Sequence, residues 1–169
     1  MRRILVVGMS GSGKTTAARR VGAKLGLPFH EMDALALGPH WSQPPGLVDE
    51  VKRITAEPEW IFDSWGYPAV RDLMWQSADT ILWLDYPAAV VLPRLIRRSV
   101  IRTATNAELF GGNRETLGEW LSPDHPVWSA AATVRQRRDY LFDRTVRSPH
   151  LRTVRFTAQR EFERWYELL

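Results

Sequence analysis

The chain has 169 residues, enough for one domain with a full core, and carries 23 Lys and Arg against 19 Asp and Glu, a formal charge of +4. With no cysteine it has no disulfide framework, thiolate metal site or cysteine nucleophile, which fits a reducing compartment, with a cytoplasmic location as the default expectation. Arginine supplies 20 of the 23 basic residues and the isoelectric point lies near 9.8, so anionic ligands are expected.

In chain order, Ile4-Leu5-Val6-Val7 is an apolar, β-branched run of the kind that forms a strand buried on both faces of a parallel sheet. The run stops at Gly8, far short of a signal h-region or a membrane span, and no membrane association is expected. Gly8 to Thr15 then reads GMSGSGKT, a full G-x-x-x-x-G-K-[ST] pattern. Its glycines let backbone N–H groups turn inward around phosphate oxygens, which makes Gly8, Ser10, Gly11, Ser12 and Gly13 candidate nucleotide contacts. Lys14 would meet the β- and γ-phosphates and Thr15 the Mg²⁺. A helix from Thr16 to Leu25, with Ala17, Val21 and Leu25 on one face, follows directly, so the phosphate would lie at a helix N-terminus beside Thr16.

Leu27 to Asp33 reads as a short second strand ending in an acid, followed by a Gly/Pro-rich loop and a helix from Leu47 to Ala56. Trp60-Ile61-Phe62-Asp63 and Thr80-Ile81-Leu82-Trp83-Leu84-Asp85 repeat the apolar-run-then-aspartate pattern as third and fourth strands, with a helix near Ala69 to Ser77 between them. A helix from about Ala88 to Thr103, holding Val91, Leu95 and Ile101 with Arg94, Arg97, Arg98 and Arg102 between them, precedes an aperiodic stretch at about 104–126, read as a mobile lid. A long helix to Val146, a fifth strand at Leu151 to Phe156 and a helix from Ala158 to Leu168 complete an α/β chain, taken as a single domain.

In such sheets ligands sit beyond the carboxyl ends of the strands, where Asp33, Asp63 and Asp85 all fall. Asp63 fits a Mg²⁺-holding acid, with Asp85 its rival, and Asp33 is placed to orient or deprotonate an acceptor hydroxyl. Arginine groups bracket the insert, Arg94, Arg97, Arg98 and Arg102 before it and Arg135, Arg137 and Arg138 after it; Arg98, Arg102 and Arg138 are the candidates to close over phosphates. Arg71 is a candidate clamp for an acidic or phosphate-bearing substrate, and Trp41 and Trp65, in loops, are candidates to stack on an acceptor. Trp60 and Trp83 are expected in the core, and His30, His40, His125 and His150 have no metal or triad spacing.

The blocks GMSGSGKTTAARRVGAKLG, HEMDALALGPHW and EWIFDSWGYPAVRDLMWQSADTILWLDYP resemble the small adenylate-kinase-related P-loop proteins of the topology modulation type. That resemblance covers the first hundred or so residues well and the remainder loosely. It implies a P-loop NTPase three-layer sandwich with strand order 2-3-1-4-5, an ATP site at the glycine loop, an acceptor region after strands two and three, and an arginine lid. It also implies that Thr157-Ala158-Gln159 borders the adenine. The chain departs from the relatives at Ser64-Trp65, where they carry glycine and asparagine, which puts a generic nucleotide acceptor in doubt.

The expected function is therefore transfer of the γ-phosphoryl group of Mg²⁺-ATP to a nucleotide or other small acceptor. Two alternatives stay open: a nucleotide-dependent regulatory or nucleic-acid-binding protein, which the basic balance favours although no nucleic-acid motif is present, and an ATPase without an acceptor.

Overall fold

The computed structural model describes residues 1–118, 120, 122 and 125–169. The elements run β1 Arg3–Gly8, α1 Lys14–Leu25, β2 Phe29–His30, α2 Met32–Ala36, a 3₁₀ turn Pro39–Trp41 and α3 Leu47–Ala56, then β3 Trp60–Phe62, α4 Arg71–Ser77 and β4 Thr80–Leu84. They continue with α5 Ala88–Ala104, a 3₁₀ turn Phe110–Gly112, α6 Pro126–Val146, β5 Arg152–Phe156 and α7 Gln159–Glu167. The five strands form one parallel sheet in the order β2-β3-β1-β4-β5, as expected.

Burial explains the strand order. The apolar runs of β1, β3 and β4 have no solvated face and occupy the centre. By contrast β5 exposes Arg152, Thr153 and Arg155 and lies at an edge, where charged side chains discourage pairing with another chain. Alternate residues feed two cores. Ile4, Val6, Leu82 and Leu84 pack with Ala17, Ala18 and Val21 of α1, Val91 and Leu95 of α5, and Phe162 of α7. On the other face Leu5, Val7, Ile81 and Trp83 pack with Met32, Val51, Ile54, Met74 and Trp75. Helix α6 belongs to both, since Val127 and Ala130 join the first core and Leu141 the second. It therefore passes from one face of the sheet to the other.

One expectation is corrected. The second strand does not run to Asp33: it stops at His30, because the Asp63 carboxylate takes the Met32 N–H at 2.9 Å and starts α2, leaving Asp33 in the first turn of that helix. In α5 the buried stripe is Val91, Leu95 and Ser99, while Ile101 is exposed, as a 3.6-residue period from Val91 dictates. The described part of the 104–126 stretch makes side-chain bonds to its surroundings, through Arg102 to Glu115 at 3.0 Å, Trp120 to Thr103 at 3.0 Å, and Asn113. Asn113 donates to Gly38 O at 2.8 Å and accepts from the Trp41 N–H at 3.1 Å, fastening the insert to the loop after α2. Residues 119, 121, 123 and 124 of that stretch lie outside the described residues. No helix among the described residues is long and apolar enough to cross a membrane.

Candidate active site

The loop between β1 and α1 takes its shape from glycine. Gly8, Gly11 and Gly13 have φ of 149°, 85° and 87°, a region that side chains rarely tolerate. At Gly11 a Cβ would also come within 2.4 Å of the Val91 carbonyl, so α5 can pack directly beneath the loop. Gly13 caps α1, whose first N–H groups open toward the loop. Ser12 is buried with no partner for its hydroxyl among the described residues.

Lys14 folds into this loop, and its ammonium donates to Met9 O at 3.0 Å. Burial of the ammonium lowers its pKa from 10.5 to about 8, against the pull of Asp63 and Asp33. Beside it Thr15 Oγ1 donates to Asp63 Oδ2 at 2.5 Å. The hydroxyl proton is thus committed to Asp63, and the oxygen's lone pairs remain available. Two hard oxygen ligands side by side at the phosphate end of the loop suit Mg²⁺, which takes few protein ligands and completes its shell with phosphate and water. Asp85, the rival acid, is occupied otherwise. It is 7% exposed and accepts from Arg138 at 2.9 Å and from Arg155.

A cavity of about 360 Å³ opens from the loop. Gly8, Ser10, Lys14 and Thr15 of the loop line it together with Asp33, Asp63, Trp65, Tyr67, Arg71, Arg98 and Arg137. Asp33 Oδ1 accepts from Tyr67 OH at 3.0 Å. Burial and the neighbouring Asp33 carboxylate raise the Tyr67 pKa, so the phenol stays a donor. Burial, with Arg102 nearby, lowers the Arg98 pKa, and burial with Arg71 nearby lowers that of Arg137, but guanidinium keeps its charge.

Of the expected residues, Gly11, Ser12, Gly13 and Thr16 do not line this cavity, nor do Arg138, Arg102, Trp41 and Thr157. Arg138 turns to Asp85, because it is one residue, roughly 100° of helix rotation, from Arg137. Arg102 is held by Glu115. Trp41 is 42% exposed in the loop fastened by Asn113. Thr157 gives its N–H and hydroxyl to Glu161 at the start of α7.

A second cavity of about 280 Å³ lies on the opposite side of the loop, lined by Ser12, Gly13, Thr16, Tyr86, Arg94 and Gln159 among others. Arg94 donates to Gln159 there at 2.8 Å. Of the segment expected beside an adenine, Gln159 rather than Thr157 reaches this space. Sequence reasoning missed Tyr67, Tyr86 and Tyr140; only the Gly66-Tyr67-Pro68 turn signal before Arg71 pointed toward the first of them.

The model of the ATPase family associated with various cellular activities (AAA) matches residues 4–62, from β1 through β3. No curated protein matches the sequence. Among solved structures, shikimate kinase from Acinetobacter baumannii in complex with shikimate is similar, with 16% identity, coverage of 99% of this chain and 90% of that one, and a TM-score of 0.60. A sugar kinase from a Janibacter species has 21% identity over 99% and 91% of the two chains, with a TM-score of 0.54. Deoxyadenosine kinase from M. mycoides with bound dCTP has 13% identity over 98% and 97%, with a TM-score of 0.50. The chain therefore shares the fold of these structures, an α/β domain with a parallel sheet in the order 2-3-1-4-5.

Proposed function

We propose that this protein is an ATP-dependent phosphotransferase that moves the γ-phosphoryl group of ATP to a hydroxyl of a small molecule. One observation carries the reading: a single cavity joins the phosphate loop to a wall bearing Asp33, Tyr67, Arg71 and Arg137. A simple ATPase has no need of that wall. Three solved proteins of the same fold are described as kinases, which supports the reaction class without naming an acceptor.

Loop N–H groups and Lys14 would hold the β- and γ-phosphates, Lys14 exchanging the Met9 carbonyl for phosphate oxygen. Thr15 and Asp63 would hold Mg²⁺, which when bound offsets phosphate charge. Asp33, fixed by Tyr67, orients the acceptor hydroxyl. As that oxygen bonds to the γ-phosphorus and the bond to the leaving ADP oxygen breaks, the hydroxyl proton passes to the Asp33 carboxylate. Arg98 lines the same cavity, close enough to Lys14 for its charge to lower the lysine's pKa, and stabilises charge on the transferred group. Gln159, Arg94 and Tyr86 border the second cavity, which suits the nucleoside end of the donor.

The test incubates the protein with ATP, Mg²⁺ and a pool of nucleosides, nucleotides, sugars and hydroxy acids, and finds by mass spectrometry which member gains a phosphate. Lys14→Ala, folded by circular dichroism, is expected to abolish the gain; unchanged turnover in that variant would refute the assignment.

A further inference from the structure

We propose that the acceptor is itself an oxyanion, a small hydroxyl-bearing carboxylate or phosphate monoester whose anionic group is gripped by Arg71 and Arg137. The inference rests on the phosphotransferase reading for the word acceptor, but its binding claim stands on geometry alone.

Several arginines around this part of the fold have acid partners. Arg102 holds Glu115, Arg144 holds Asp72, and Arg138 and Arg155 hold Asp85. Arg71, Arg98 and Arg137 have no ion-pair partner among the described residues and line the cavity, and of the three Arg98 is already assigned to the transferred phosphoryl group. The other two lie close enough that the charge of Arg71 weakens proton binding by Arg137. Two like charges converging on a partly dehydrated wall repel each other, and an anion between them relieves that repulsion.

Arg71 is also held in place beforehand. Its Nε donates to Gly66 O at 3.0 Å, and its guanidinium lies 4.7 Å from the Trp65 ring centre and 5.4 Å from that of Tyr140. Those two rings meet edge to face at 5.2 Å. Gly66 permits the fold-back, since its φ is 89° and a Cβ would meet Arg71 Cα at 2.8 Å. With Nε and the ring faces engaged, the terminal nitrogens remain as a fork, the geometry that matches a carboxylate or phosphate. Trp65 thus packs on the arginine that would grip the anion. The cavity lining carries Lys14, Arg71, Arg98 and Arg137 against Asp33 and Asp63, an excess of two positive charges before a ligand enters. Asp33 with Tyr67 is suited to a hydroxyl, and the arginine pair to an anion, so one molecule carrying both groups satisfies the wall.

The experiment measures equilibrium binding, by ligand-observed NMR in the presence of ADP and Mg²⁺, of matched compounds: hydroxy carboxylates with their methyl esters, and sugar phosphates with their free sugars. Phosphate transfer from ATP is followed in parallel. Wild type is expected to bind an anionic member at least tenfold more tightly than its neutral analogue, and Arg71→Gln and Arg137→Gln each to lose at least tenfold while keeping their affinity for ADP, which also reports that they fold. The carboxylate and phosphate arms show which anion is taken. Equal binding of charged and neutral members, anion binding unaffected by both substitutions, or no binding across the panel would overturn the inference. Arginine-dependent binding with no phosphate transfer to any member would support the anion site and refute the phosphotransferase reading instead.

Discussion

Raising the pH should weaken nucleotide binding through Lys14 alone. In the free protein, burial lowers its pKa from 10.5 to about 8. Bound phosphates supply the negative charge that restores the ammonium, so the complex keeps the proton well above that value. Nucleotide phosphates are themselves ionised over this range. The apparent Kd for a non-hydrolysable ATP analogue with Mg²⁺ should therefore rise about tenfold between pH 7 and 9, as Lys14 goes from roughly nine-tenths to one-tenth protonated in the free form. Calorimetry in two buffers of different ionisation enthalpy should show uptake of nearly one proton per nucleotide at pH 9, and Lys14→Met should show neither effect. A wild-type Kd constant within twofold over this range, with no proton uptake, would refute the account of the buried lysine. The same shift has a folding consequence of definite sign. The folded pKa lies below the unfolded one, so the penalty is present in full below pH 8 and is relieved as pH rises from about 8 to 10.5, by about 3 kcal/mol in all. Wild type should accordingly gain stability relative to Lys14→Met across that window.

Asp63→Asn should keep stability within about 1 kcal/mol, since an amide oxygen can still accept the Met32 N–H, yet lower Mg²⁺-dependent turnover about a hundredfold or more; urea melts and Mg²⁺ titrations of rate check both. Asp85→Ala should do the reverse, costing about 2 kcal/mol in urea melts by leaving Arg138 and Arg155 without their shared acceptor, with nucleotide affinity unchanged. Asn113→Ala removes the bonds to Gly38, Phe110 and the Trp41 N–H, about 2 to 3 kcal/mol of local stability, and should speed hydrogen exchange at the Trp41 amide by at least tenfold; unchanged exchange would show that the insert is fastened elsewhere.

The legible parts of this molecule are those fixed by contiguous residues. Gly8 to Thr15 needs only its own glycines and the flanking strand and helix to define its shape, and the central strands announce themselves by runs with no polar face. What escaped depends on partners distant in sequence. Asp63 and Asp85 end similar apolar runs; the Tyr86-Pro87 pair and helix after Asp85 favour Asp63 in the sequence, whereas the Thr15 hydroxyl at one and the arginine pair at the other depend on residues distant in the chain. Arg137 and Arg138 are equivalent in composition, but helix rotation points one at the cavity and the other at Asp85. Asp33 looked like the end of a strand because the capping carboxylate that ends β2 is 31 residues away. Tyr67 could not be found from pattern, since its importance is a single bond to Asp33 across 34 residues.

The central claim is that the γ-phosphoryl group leaves for an organic hydroxyl rather than for water. Following ATP labelled with ¹⁸O in the γ-phosphate, in the presence of the acceptor pool and Mg²⁺, tests it most directly. The account predicts that the label appears in an organic phosphate and that this product is lost in Lys14→Ala; label recovered only in inorganic phosphate, across the whole pool, would contradict it.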